Sequence, residues 1–225
     1  MNPEKRISKS QIKQDKMVTF ALKAGEYIQQ NKNYFIYTVA GIVAIVAIIF
    51  FFNYLGNKKE AEATELFGKA QLAGAMNQGS LAITDYRTIL DNYGSTEVAS
   101  KACFFIADIY NRQRNYDSAA VFYQKFVDSY NDDKILLPAA YAGGGNAYEQ
   151  IRQFEKAGEF YFKAAEIAND DYRSPDYYMA AGGAYIQAGN FAKAREAYQK
   201  VVDKYRRLQV YSEARKKIAE IDYKN

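Results

Sequence analysis

Histidine is absent from the 225 residues, and cysteine occurs once, at Cys103. Without histidine there is no Ser-His-Asp or Cys-His machinery and no imidazole-based metal site. A single cysteine forbids an internal disulfide and leaves the redox compartment open. A third absence is local. From Tyr34 to Leu55 there is no charged residue at all, in a chain that is otherwise a quarter charged.

Those 22 residues include 13 Leu, Ile, Val or Phe. As a helix they would rise about 33 Å, against roughly 30 Å of bilayer hydrocarbon. Tyr34 and Tyr37 at one end and Tyr54 at the other stand where amphipathic rings prefer the headgroup level. The stretch is expected to be a transmembrane helix. The first 33 residues carry seven Lys or Arg against three acidic residues, while the remainder balances 23 against 23. The basic excess therefore belongs to the segment ahead of the apolar run, where seven basic residues stand against Lys58, Lys59 and Lys69 in the twenty residues after it, and this asymmetry predicts a cytoplasmic N-terminal side and a translocated bulk. It also gives no electrostatic footprint for nucleic acid on the larger part. Cleavage at Ala61-x-Ala63 is the rival reading. The apolar run exceeds a signal-peptide core, and Lys58 and Lys59 intervene, so an uncleaved anchor is favoured.

Residues 1–15 are polar, basic and aperiodic, and read as a flexible tail. Over residues 16–31, Met17, Phe20, Ala21, Ala24, Tyr27 and Ile28 recur at helical spacing, with Lys16, Lys23 and Glu26 on the other side. This predicts an amphipathic helix at the membrane interface. A helix that docks on a protein partner is the alternative.

Beyond Gly56 the chain repeats itself. Ala82, Ala119, Ala157 and Ala194 are separated by 37, 38 and 37 residues, and Tyr86, Tyr123, Tyr161 and Tyr198 follow in step. Twelve residues before the last three alanines stand Ala107, Gly145 and Gly182. Tyr110, Tyr148 and Tyr185 follow these by three. The first unit has Ala70 and Ala73 at the matching places. Small residues at helix crossings with rings beside them are the mark of close helix packing. The pattern resembles the tetratricopeptide repeat, a pair of antiparallel helices that stacks into a solenoid. It is all-α, with units expected near residues 63–96, 100–133, 138–171 and 175–208, a cap at 210–225, and a domain spanning 58–225.

Three features invite chemistry and find simpler explanations. The run AGGGNAY at 142–148 lacks the lysine of a phosphate loop and falls inside a helix, so close packing is expected. The pairs Asp132–Asp133 and Asp170–Asp171 lie in polar turns with no further ligands. Cys103 occupies a packing position, which predicts a buried thiol. No catalytic, cofactor or metal residues are expected, and no small-molecule substrate.

The resemblance implies a peptide-binding groove lined by the first helices. The matching positions are Phe67, Gln71, Phe104, Asp108, Asn111, Ala142, Asn146, Glu149, Met179 and Ile186. Of the residues that clamp a chaperone C-terminus in some relatives, only Asn146 is matched, so an extended peptide or a helix is the expected ligand. A basic tail, one span and an external repeat stack also resemble the ancillary subunit of the bacterial Sec translocon and related envelope repeat proteins. The resemblance implies a bacterial inner membrane with the repeats in the periplasm, and as function a non-enzymatic, chaperone-like scaffold for exported or assembling proteins. The alternative is a structural adaptor in division, cell-wall or outer-membrane assembly with one fixed partner. A reversed topology, with the repeats in the cytoplasm, stays open.

Overall fold

The computed structural model describes residues 9–130, 133–169 and 172–224, and among these every regular element is helical. The chain divides into two units between Asn57 and Lys58.

In the first unit, α1 (Lys9–Gln30) begins seven residues before the amphipathic pattern starts. Residues 9–15 contain Lys, Ser, Gln, Ile and Asp and neither Gly nor Pro, so nothing in them stops a helix. The expected flexible tail is thus helical from Lys9, and residues 1–8 lie outside the described part. Val18, Phe20, Leu22 and Tyr27 of α1 are exposed. The uncharged run sits within α2 (Lys32–Ala75), the one described helix long and apolar enough to cross a membrane, and none of that window is buried against protein.

The second unit takes the C-terminal part of α2 and then runs α3 (Gly79–Asn92), α4 (Glu97–Arg112), α5 (Tyr116–Ser129), α6 (Leu136–Gln150), α7 (Phe154–Ala168), α8 (Ser174–Gln187), α9 (Phe191–Lys204) and α10 (Val210–Lys224). Consecutive helices pack on one another from α3 to α10. In addition α4 touches α6 and α8 touches α10.

Every hairpin turns the same way. After α2, α4, α6 and α8 comes a residue of positive φ: Asn77 (61°), Arg114 (61°), Arg152 (60°) and Gly189 (77°). Around each, two backbone bonds close the helix end, such as Arg114 N–H to Asn111 O at 3.0 Å and Asn115 N–H to Tyr110 O at 2.9 Å. This is the Schellman arrangement, which satisfies the last carbonyls of a helix. The following helix starts at once. The side chains of Asn115 and Asn190 accept the N–H groups of Ser118 and Lys193 as N-caps of α5 and α9.

Alanine, glycine and tyrosine make most of the core, and the two kinds of residue interlock. Ala82, Ala119, Ala157 and Ala194 are fully buried, as are Ala70 and Ala107. Where the small residue is glycine, a ring fills the space. A Cβ on Gly145 would come within 2.7 Å of the Tyr161 ring, and one on Gly158 within 2.6 Å of Tyr185. The three glycines of α6 meet Tyr123, Phe160 and Tyr161 in turn, which accounts for the AGGGNAY run by packing. Cys103 is wholly buried, its thiol 3.6 Å from the Phe122 carbonyl, and burial pushes its pKa up to about 12. Asp133 turns its carboxylate to the N–H groups of Ile135 and Leu136. Its neighbour Asp132 and the pair Asp170–Asp171 lie outside the described residues.

Candidate interaction groove

The ten groove positions all fall on first helices: Phe67 and Gln71 on α2, Phe104, Asp108 and Asn111 on α4, Ala142, Asn146 and Glu149 on α6, Met179 and Ile186 on α8. Gln71 is exposed and the other nine are half-buried. Two of the aromatic members pack inward. Phe67 lies 5.4 Å from Tyr86 and 5.8 Å from Phe105, and Phe104 lies 5.9 Å from Phe126 and 6.0 Å from Tyr123. Each is therefore only partly open to a ligand. Met179 and Ile186 likewise rest against the core.

The polar members are held in place. Asp108 pairs with Arg112 at 3.0 Å on the same helix. On α6 the Tyr161 hydroxyl, reaching over from α7, donates to Glu149 at 3.0 Å and is hydrogen-bonded by Asn146. Burial first, and the Glu149 charge second, push the Tyr161 phenol well above its ordinary pKa, so it remains a donor. The hydrogen bond fixes the position of the Glu149 carboxylate on the face of α6. Asn111 adds an unusual feature, since its side-chain oxygen is buried with no hydrogen-bond partner. Such an acceptor costs stability until a donor reaches it.

A second polar cluster lies away from these positions. Lys193 bridges Glu155 at 2.7 Å and Glu159 at 3.0 Å, tying α9 to α7. Asn190 adds a bond to Glu155 at 3.0 Å. These hydrogen bonds, more than bare charge, raise the pKa of Lys193 and lower that of Glu155. Sequence spacing gave no sign of this bridge, because its members are 34 and 38 residues apart. Among the described residues no group of three or more metal-ligating side chains gathers.

Residues 67–134 and 143–207, more than half of the chain, match the tetratricopeptide repeat. The chain belongs to the tetratricopeptide repeat family. No curated protein matches it. The fold is similar to the crystal structure of a tetratricopeptide repeat protein from Parabacteroides merdae, with a TM-score of 0.56 at 13% identity. That likeness covers 72% of this chain and 60% of the other. It is also similar to the MamA protein, with a TM-score of 0.52 at 19% identity over 72% and 86% of the two chains. A third solved chain, the first tetratricopeptide domain of Spaghetti bound to an HSP90 peptide, is 18% identical with a TM-score of 0.40 over 55% and 93%. Tetratricopeptide repeats are scaffolds for protein–protein interaction and are in general not enzymes.

Proposed function

We propose that this tetratricopeptide repeat chain is a membrane-anchored protein-binding scaffold of the cell envelope, ancillary to the export of proteins through the Sec translocon. Residues 34–55 cross the bilayer once, the basic residues before them stay on the cytoplasmic side with α1 along the interface, and residues 58–225 stand in the periplasm. There the first helices hold newly exported or assembling proteins along Gln71, Asp108, Asn111, Asn146 and Glu149.

One observation carries this reading. The repeat unit closes its own core, from Ala63 to Ile221, while Val39, Ile42, Val43, Ile45, Ile48, Phe50 and Phe52 are all at least 43% exposed. Uncovered apolar side chains on every face of one helix need a non-aqueous surrounding. The Glu149 carboxylate, immobilised by Tyr161, favours the second reading, a structural adaptor with one fixed partner.

Three measurements test the proposal. The chain should remain with vesicles through an alkaline carbonate wash, and its release would overturn the anchor. A phosphatase fused after Asn225 should be active, and an inactive fusion would reverse the topology. A photo-crosslinking residue at Gln71 or Asn146 should capture many unfolded exported chains if the scaffold reading holds. One stoichiometric folded partner would replace it by the adaptor.

A further inference from the structure

The loops that join one hairpin to the next stand together at one edge of the solenoid. Consecutive helices pack on one another through short connections, so the α3/α4, α5/α6, α7/α8 and α9/α10 loops share that edge and the hairpin turns lie at the other. Hydrogen bonds tie neighbouring loops together, since the Tyr205 hydroxyl at the end of α9 lies 2.9 Å from both Asn169 O and Ser174 Oγ of the α7/α8 connection. The start of the array belongs to the same edge. Glu60 accepts the Glu97 N–H at 3.1 Å and Glu62 accepts the Tyr93 hydroxyl at 3.2 Å, one at each side of the α3/α4 loop. Lys58, where this unit begins, follows Leu55, the last residue of the uncharged run, by three positions. Three residues span at most about 11 Å, so the apolar run is joined to the repeats at the loop edge.

Three of the four loops present an uncovered apolar side chain. Ile135 is 85% exposed, Tyr172 83% and Leu208 46%, each next to a cation in Lys134, Arg173 or Arg207. The fold gives these tips no use. Ile135 stands at the N-cap of α6, where a small polar side chain is favoured, and it is the Asp133 carboxylate that accepts the first N–H groups there. At the opposite edge the turns at 112–115, 150–153 and 187–190 expose only polar or small residues, and the exposed Met76 and Tyr223 lie at the two ends of the array. The loop edge is also balanced in charge, with Lys134, Arg173, Arg206 and Arg207 against two aspartates in each of the α5/α6 and α7/α8 loops. Apolar tips among charges of both signs match a layer of zwitterionic headgroups, in which phosphates meet the cations and amines meet the carboxylates.

We propose that the loop edge of the repeat unit rests on the surface of the phospholipid bilayer, with Ile135, Tyr172 and Leu208 entering the headgroup layer. This rests on the membrane anchor proposed above and holds for either leaflet. A tyrosine ring prefers the headgroup level, and Lys or Arg beside an apolar tip keeps its charge at the phosphates. Three such contacts are weak in a free protein. A covalent tether a few residues away holds them at high effective concentration, so they need only orient the array. The hairpin turns then face away from the bilayer.

The test uses the full chain in phosphatidylcholine nanodiscs containing headgroup spin-labelled phosphatidylcholine. An environment-sensitive fluorophore is placed in turn by Ile135→Cys, Tyr172→Cys and Gln209→Cys at the loop edge, and by Arg114→Cys and Arg152→Cys at the other. Cys103 is wholly buried and stays unlabelled in the folded chain. Loop-edge labels should be quenched at least about twofold more than turn labels. Replacing the tips together, by Ile135→Ser, Tyr172→Ser and Leu208→Ser, should remove about half or more of the quenching at Gln209→Cys and leave the melting curve unchanged, which mere nearness through the tether would not give. A chain that fails to co-elute with nanodiscs overturns the anchor and this contact with it. In a co-eluting chain, equal quenching at the two edges, or quenching at Gln209→Cys that survives the triple serine change, would overturn the contact alone and leave the tips to a protein partner.

Discussion

A Cβ on Gly182 would stand 2.5 Å from the ring of Tyr198, whereas one on the next residue, Gly183, would meet nothing within 4 Å. Two adjacent glycines of α8 thus differ completely in what they permit. Gly182→Ala is expected to destabilise the repeat domain by about 1–3 kcal/mol through overpacking, reduced by the better helix propensity of alanine. Gly183→Ala should stabilise it by up to about 1 kcal/mol. Thermal melts of the two variants give opposite signs if the ring contact governs.

The hairpin turns offer a second pair. Arg114 and Arg152 hold φ near 60° at the place where the fourth unit has Gly189. A side chain there strains the backbone by about 1 kcal/mol, so Arg114→Gly and Arg152→Gly should each raise stability by about 0.5–1 kcal/mol. Chemical denaturation at constant m-value would show it. Unchanged or lowered midpoints would mean that the arginine side chains contribute more than the turn costs.

Lys193→Met removes the bridge between α9 and α7. The lowered pKa of Glu155 gives a stabilisation present above its ordinary value of 4.5 and lost as pH falls through the folded value. The raised pKa of Lys193 gives one present below its ordinary 10.5 and lost as pH rises through the folded value. The difference in Tm between wild type and variant should therefore be flat from about pH 5 to 10 and shrink at both ends. These groups are partly exposed, so the plateau is worth about 1 kcal/mol. A difference independent of pH would assign the effect to packing.

Burial pushes the phenols of Tyr86, Tyr178, Tyr185 and Tyr198 up to about 12 from an ordinary value of 10. Each remains neutral in the fold while its unfolded counterpart ionises. Stability should fall steeply between pH 10 and 12. The tyrosinate absorbance at 295 nm should rise together with the loss of helical circular dichroism, and a rise well ahead of unfolding would contradict these positions.

How much of this could be read from the chain depends on the range of each contact. The 37–38-residue phase was plain, since Gly145 against Tyr161 and Gly182 against Tyr198 are contacts within one hairpin and leave a fixed spacing. The start of α1 was not, because residues 9–15 lack an apolar period yet carry nothing that opposes a helix. For the positions that the resemblance assigns to a groove, the depth of each side chain was not legible. Phe67 and Phe104 turn into the core because Phe105, Tyr86 and Phe126 come from other helices to receive them.

The glycine-to-ring fit also decides how such an array gives way under load. A ring seated where a side chain is missing fixes one helix against the next in height as well as in distance, so neighbouring hairpins cannot creep past each other by a fraction of a turn. A pull on either end should instead detach whole hairpins one after another, and force–extension traces would then show steps of about 37 residues rather than a smooth slope.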